Sequence, residues 1–105
     1  MKKGPQATPK PAPTSQRTTY SIEFLNSAAS EFEKLDVKTQ KRIGSRIDAL
    51  STNPRPDGCT KLKGSTNTYR IRVGTYRVLY DVEDKLVVVT VIKVGYRRDV
   101  YRDRR

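Results

Sequence analysis

Residues 69–101, YRIRVGTYRVLYDVEDKLVVVTVIKVGYRRDVY, set arginines at alternate positions among strong strand formers, and no other stretch of the chain limits its fold as much. In an extended strand successive side chains point to opposite faces. Tyr69, Ile71 and Val73 therefore point one way while Arg70 and Arg72 point the other. A sheet that buries the apolar set displays a cluster of cations on its opposite face. That surface suits a polyanion, with RNA the leading candidate.

Size allows one such sheet and little more. The chain has 105 residues, 34% of them hydrophobic, enough for a single modest core. Lysine and arginine number 22 against 11 acidic residues, a net charge of +11 that attracts phosphate backbones, anionic lipid or an acidic protein. No membrane span is expected, because the longest apolar run, 86–89, is interrupted by Thr90 and resumes only to Ile92. Cys59 is alone, which excludes an internal disulfide and fits a reducing cytoplasm. With no histidine an imidazole mechanism is excluded, and one cysteine makes a zinc site untenable, so neither metal nor cofactor is expected.

Residues 1–18 hold four of the six prolines and almost no large apolar side chain, and read as a disordered basic arm. Lys2 and Lys3 are not followed by the apolar stretch of a signal peptide. Removing the arm's four cations (Lys2, Lys3, Lys10, Arg17) from +11 leaves +7 on residues 19–105, so the basic character belongs to the domain.

From Tyr20 the pattern changes. Tyr20, Ile22 and Phe24 alternate with Ser21 and Glu23 as in a half-buried strand. Ala28, Phe32 and Leu35 recur at helical spacing; Asp36 is a good N-cap, and Ile43, Ile47 and Leu50 repeat the helical stripe. Asn53-Pro54 stops the second helix, and Pro54, Pro56, Gly58 and Gly64 mark a loop carrying Lys61 and Lys63. Three strands follow, near 69–73, 75–83 and 85–94, joined so tightly that only antiparallel hairpins fit. Residues 86–92 are apolar on both alternating faces, which predicts an interior strand covered on both sides. The expected class is α+β: strand, helix, helix, then a three-stranded antiparallel meander with the helices on one face.

Arg70, Arg72 and Arg77 fall on adjacent strands, and Arg97 and Arg98 follow the last strand after Gly95. Solvated faces normally mix signs. Residues 69–80 instead hold three arginines, no lysine and no acid. Arginine keeps its charge and presents a planar fork matched to phosphate oxygens, so these residues are the candidate site.

The order of elements, the Leu62-Lys63-Gly64 loop, Tyr69-Arg70-Ile71-Arg72, Tyr76-Arg77-Val78-Leu79-Tyr80 and the closing Val94-Gly95-Tyr96-Arg97-Arg98-Asp99-Val100-Tyr101 together resemble the RelE/ParE toxin superfamily, on its RelE side, over about residues 19–102. The resemblance implies a toxin that cleaves messenger RNA in the ribosomal A site without a metal and is counteracted by an antitoxin encoded beside it, forming a toxin–antitoxin hetero-oligomer. It puts Arg70 and Arg72 where relatives keep basic residues near the scissile phosphate. Arg77 and Arg97 match arginines implicated in phosphate binding and transition-state stabilisation. Tyr101 matches a tyrosine linked to the reacting 2′-hydroxyl, while Lys61, Lys63 and Arg98 are expected to contact RNA. Many relatives have histidine where this chain has Tyr96, so an imidazole base at that position is lost.

Attack by an internal 2′-hydroxyl needs a proton acceptor, a stabiliser of phosphorane charge and a proton donor to the leaving 5′-oxygen. Arginines serve the second role and serve the others poorly, since a guanidinium almost never deprotonates. Tyr101 could accept a proton only if surrounding cations stabilised its phenolate; stacking or packing is its other available role. Two further functions stay open: a ParE-like inhibitor of DNA gyrase with the same fold, and a basic RNA-binding module without catalysis. The first generally lacks the arginine and tyrosine set, and the second usually exposes aromatics for stacking, whereas Tyr69, Tyr76 and Tyr80 share a face with Ile71, Val73 and Val78.

Overall fold

The computed structural model describes residues 19–100; the 1–18 arm and Tyr101 lie outside the described residues. Strand β1 (Ser21–Phe24) leads into helices α1 (Asn26–Glu33) and α2 (Val37–Ala49). A two-residue strand β2 (Thr60–Lys61) precedes β3 (Thr68–Val73), β4 (Tyr76–Glu83) and β5 (Val88–Tyr96), and a short helix α3 (Arg97–Val100) follows. The five strands form one sheet in the order β1-β5-β4-β3-β2.

The helix boundaries have local causes. Asp36 caps α2, its carboxylate accepting the Thr39 N–H at 3.4 Å. Hydrogen bonding from Thr39 holds that carboxyl below its ordinary value. The end of α1 is closed by a side chain of α2: Gln40 Nε2 donates to the carbonyls of Phe32 at 3.1 Å and Glu33 at 3.2 Å, two groups a helix end leaves without intrahelical donors. Both helices lie on one face of the sheet, where Ala28, Ile43, Ile47 and Leu50 pack against Ile71, Val73, Val78, Tyr80, Val82, Val89, Val91 and Val94. Burying each larger aliphatic of this set contributes about 1.5–3 kcal/mol, so the layer is held by its stripe rather than by helix propensity.

The α+β class stands, with three corrections to the strand reading. First, β1 joins the sheet edge parallel to β5, with Ile22 opposite Val89 and Phe24 opposite Val91, which makes the sheet mixed. Hairpin length decides the pairing of neighbours in the chain and carries no information about this distant pair. Second, the loop with Lys61 contains strand β2, paired antiparallel to β3 with Thr60 opposite Arg70 and Lys61 opposite Tyr69. Third, the last strand begins at Val88 rather than 85, because residues 84–87 form the hairpin tip, where Leu86 N donates to Glu83 O and Val87 N to Asp84 O, each at 3.2 Å. Leu86 is 70% exposed there. Strand β5 is interior, yet its cover is unequal: Val89, Val91 and Val94 are buried under the helices while Val88 and Thr90 are half-buried on the open face.

The loop between α2 and β2 is fastened to the sheet by tyrosines. The Tyr80 hydroxyl, fully buried, donates to the Pro54 carbonyl at 2.7 Å, and burial pushes its pKa up. Arg55 clamps Asp84 with Nη1 at 3.3 Å and Nη2 at 2.8 Å, donates from Nε to the Tyr69 hydroxyl at 3.0 Å and stacks over the Tyr69 ring at 5.2 Å.

Candidate nucleic-acid interface

Helices cover one face of the sheet, and register decides what stands on the other. Residues directly opposite in an antiparallel pair project from the same face. Arg72 lies opposite Arg77, Arg70 opposite Leu79, and Arg77 and Leu79 opposite Gly95 and Lys93 of β5. Two rows of three result, Arg72–Arg77–Gly95 and Arg70–Leu79–Lys93. Arg70, Arg72 and Arg77 are therefore brought together as the alternation predicts. Leu79 is fully buried between Arg70 and Lys93 and stands outside the helix-side core, giving the patch an apolar floor.

The arginines are partly preorganised. Arg70 Nη2 donates to the Thr60 hydroxyl at 3.0 Å, across the β2–β3 pair. Arg77 Nη1 donates to two carbonyls of its own turn, Gly74 at 3.2 Å and Tyr76 at 3.0 Å. The Arg97 amide donates to the Thr75 carbonyl at 2.8 Å, which fixes the start of α3 against the β3–β4 turn. Arg97 and Arg98 are exposed. Two predicted contacts separate from the patch. Lys61 lies opposite Tyr69 and so belongs to the helix-covered side, while Lys63 is exposed in the turn between β2 and β3. Tyr96 lies opposite Tyr76 and meets its ring edge-on at 5.6 Å between centroids, on the side away from the arginines.

Charge is divided along the open face. The acids Asp81 and Glu83 follow Leu79 toward the hairpin tip, with Thr68 donating to Asp81 at 2.6 Å and Asn67 to Glu83 at 2.7 Å. A polyanion is therefore attracted at the β3–β4 turn and repelled at the other end. Like charges directly opposite each other destabilise a sheet. Arg72 and Arg77 face each other in register, and an anion bound there would favour both charges. Among the described residues no group of three or more His, Cys, Asp and Glu side chains is placed to hold a metal ion.

Lys93 was missed by sequence reasoning for a physical reason. Val89 and Val91 point to the core, so strict alternation puts Lys93 there too. A bulge interrupts the β4–β5 register: Tyr80 faces Val91 while Leu79 faces Lys93, leaving Ile92 as the extra residue. The phase reverses, and Val94 takes the core side while Lys93 joins the arginines. The available signal was Val94, an apolar residue out of step with Val89 and Val91.

A family model described as the ParE toxin of the type II toxin–antitoxin system parDE matches residues 22–101. The mRNA interferase toxin RelE of Escherichia coli K12 is 32% identical over 88 residues, which span 80% of this chain and 92% of that protein. Among solved structures, a free-state E. coli RelE toxin variant superposes with a TM-score of 0.70 at 31% identity, covering 80% of this chain and 92% of its own. The archaeal RelE–RelB complex of Pyrococcus horikoshii gives 0.68 at 28% identity, covering 75% and 96%. With its mixed sheet, its single helical layer and these similarities, the chain belongs to the RelE/ParE superfamily of type II toxin–antitoxin toxins.

Proposed function

We propose that this RelE-type toxin is an endoribonuclease that cuts messenger RNA in the ribosomal A site, by attack of a 2′-hydroxyl on the adjacent phosphate, and so inhibits translation. The observation that carries the reading is the Arg72–Arg77 pair, joined on its face by Arg70. Guanidinium groups there would meet the charge that develops on the phosphorane oxygens, with Arg77 held by the carbonyls of its turn. Arg97 would add to that stabilisation from the start of α3, with Arg98 and Lys63 contacting the RNA backbone, and Tyr101 would lie by the 2′-oxygen. The E. coli relative named as an mRNA interferase supports cleavage of messenger RNA. A cognate antitoxin completes the system in this reading, in keeping with the archaeal RelE–RelB complex, and a toxin acting on ribosomes would work in the cytoplasm. No helix among the described residues is long and apolar enough to cross a membrane.

Primer extension on messages from translating extracts tests the proposal. Cuts within A-site codons are expected with wild-type toxin and not with Arg77→Ala. Intact messages at toxin concentrations that stop growth would overturn it. The ParE description of the matching family favours a second reading, inhibition of DNA gyrase. A supercoiling assay separates the two, and the endoribonuclease reading expects gyrase to be unaffected.

A further inference from the structure

Where β1 ends at Phe24, opposite Val91, the remaining half of β5 loses its neighbour on that side. Helix α1 takes the place of the strand, and Glu31 supplies what the strand would have supplied: its Oε1 accepts the Val94 N–H at 2.9 Å. The other oxygen, Oε2, accepts from Lys93 Nζ at 2.5 Å. One carboxylate thus closes the sheet edge and fixes a lysine whose side chain is only 16% exposed. By register that lysine stands on the arginine face, directly opposite Leu79 and diagonal to Arg77, a neighbour within reach of a long side chain.

Among the described residues of this patch, Lys93 differs from Arg70, Arg72 and Arg77 in the one property the proposed reaction lacks. A guanidinium does not release its proton, whereas an ammonium, far more acidic than an alcohol, can give one up to a departing alkoxide. Leaving as an alkoxide makes the 5′-oxygen a poor leaving group, so cleavage gains from a donor placed there. We propose that Lys93 is the general acid of this site and that Glu31 is its positioning residue, an assignment that rests on the endoribonuclease reading. The 2′-oxygen bonds to phosphorus and gives its proton to water. The P–O5′ bond breaks, and the departing oxygen takes a proton from Lys93 Nζ. The products are a 2′,3′-cyclic phosphate and a 5′-hydroxyl end, and the neutral amine regains its proton from solvent. Arg77 and Arg72 hold the phosphoryl oxygens meanwhile.

Single-turnover cleavage of messages on programmed ribosomes, with saturating toxin, tests the assignment in wild type, Lys93→Arg and Lys93→Met. Lys93→Arg keeps the charge and the capacity to pair with Glu31 but gives up no proton. Both variants are expected to lose about 10²-fold or more in rate. A second message carries a bridging 5′-sulfur at the cleavage site; the thiolate leaves without protonation, so on it both variants should cut at nearly the wild-type rate. That recovery also shows the variants to be folded and ribosome-bound. Wild-type cleavage by Lys93→Arg on the oxygen substrate would reduce Lys93 to a phosphate contact and overturn the assignment. Equal losses on the oxygen and sulfur substrates would overturn it too, since they would mean a fault in folding or positioning. Failure of the wild-type toxin to cut either message would instead sink the endoribonuclease reading, and this assignment with it.

Discussion

Arg42 and Arg77 converge on Gly74 from different elements. The Arg77 guanidinium donates to the Gly74 carbonyl at 3.2 Å, and Arg42, on α2, lies so close to the same residue that a methyl group on Gly74 would sit 2.9 Å from Arg42 Nη2. The turn is a two-residue hairpin between Val73 and Tyr76, with glycine first at φ +62°, as a type II′ turn requires. A single glycine thus sets the spacing of the Arg72–Arg77 pair and lets a helix cation approach the cationic patch.

Gly74→Ala is expected to destabilise the domain by about 1–2 kcal/mol, mainly through the left-handed backbone, since the flexible end of Arg42 can move aside. The opposite sign is expected at the other hairpin. Val87 is a β-branched residue held at φ 58°, where its carbonyl accepts the Ser21 N–H at 2.9 Å. Val87→Gly keeps that bond and relieves about 1 kcal/mol or more of strain. Urea denaturation of both variants checks the pair of signs.

Arg72 offers a test of cost against function. Arg72 is exposed and faces Arg77 in register, so Arg72→Ala should leave stability unchanged or raise it by a few tenths of a kcal/mol. Cleavage should fall by about 10²-fold. A stability loss above about 1 kcal/mol would make Arg72 a structural residue rather than part of the binding patch.

Asp84 should govern the acid side of the stability curve. Hydrogen bonding to Arg55 and then to Tyr20, whose hydroxyl donates at 2.7 Å, holds the carboxyl below its ordinary value of 3.8. A depressed folded-state pKa gives stabilisation that is present above the unfolded value and lost as pH falls through the folded one. Asp84→Asn should therefore lower Tm near pH 7, with the gap to wild type closing below about pH 4. The pair is exposed, so added salt should narrow the gap as well.

Much of this was legible because it is local. The Asp36 cap, the helical stripe of Ile43, Ile47 and Leu50, and the alternation through Tyr69–Val73 follow from spacing alone, and alternation also put Arg70 and Arg72 on the face away from the core. The rest depends on pairing between distant segments. Parallel docking of β1 on β5 brings residues 21–24 to 88–91, and no turn chemistry encodes that. Lys93 changed faces because one residue, Ile92, is inserted in a ladder whose partner lies on another strand. Arg42 reads as a solvated helix cation until the fold sets it against Gly74.

The antitoxin is expected to cover the open face with acidic side chains over Arg70, Arg72 and Arg77, because neutralising these cations also blocks RNA. Affinity should fall steeply between low and high salt, and further in an Arg70→Ala/Arg72→Ala toxin. Calorimetric titration of toxin with antitoxin measures both. Salt-independent binding, unchanged in the double variant, would move the antitoxin to another surface.

A single substitution separates the Tyr101 hydroxyl from its ring. The resemblance puts its phenol by the 2′-oxygen, on the nucleophile side of the phosphorus, while the Lys93 assignment concerns the leaving group. Tyr101→Phe keeps the ring, and with it any stacking, and removes only the hydroxyl. A contact with the 2′-oxygen predicts slower single-turnover cleavage on programmed ribosomes with ribosome binding nearly intact, and predicts that the loss persists on the 5′-sulfur message, because the nucleophile still needs activation there. The Lys93 variants should recover on that substrate. If Tyr101→Phe recovered as well, the phenol would be acting at the leaving group, and if it cut the oxygen substrate at the wild-type rate, its ring alone would be at work.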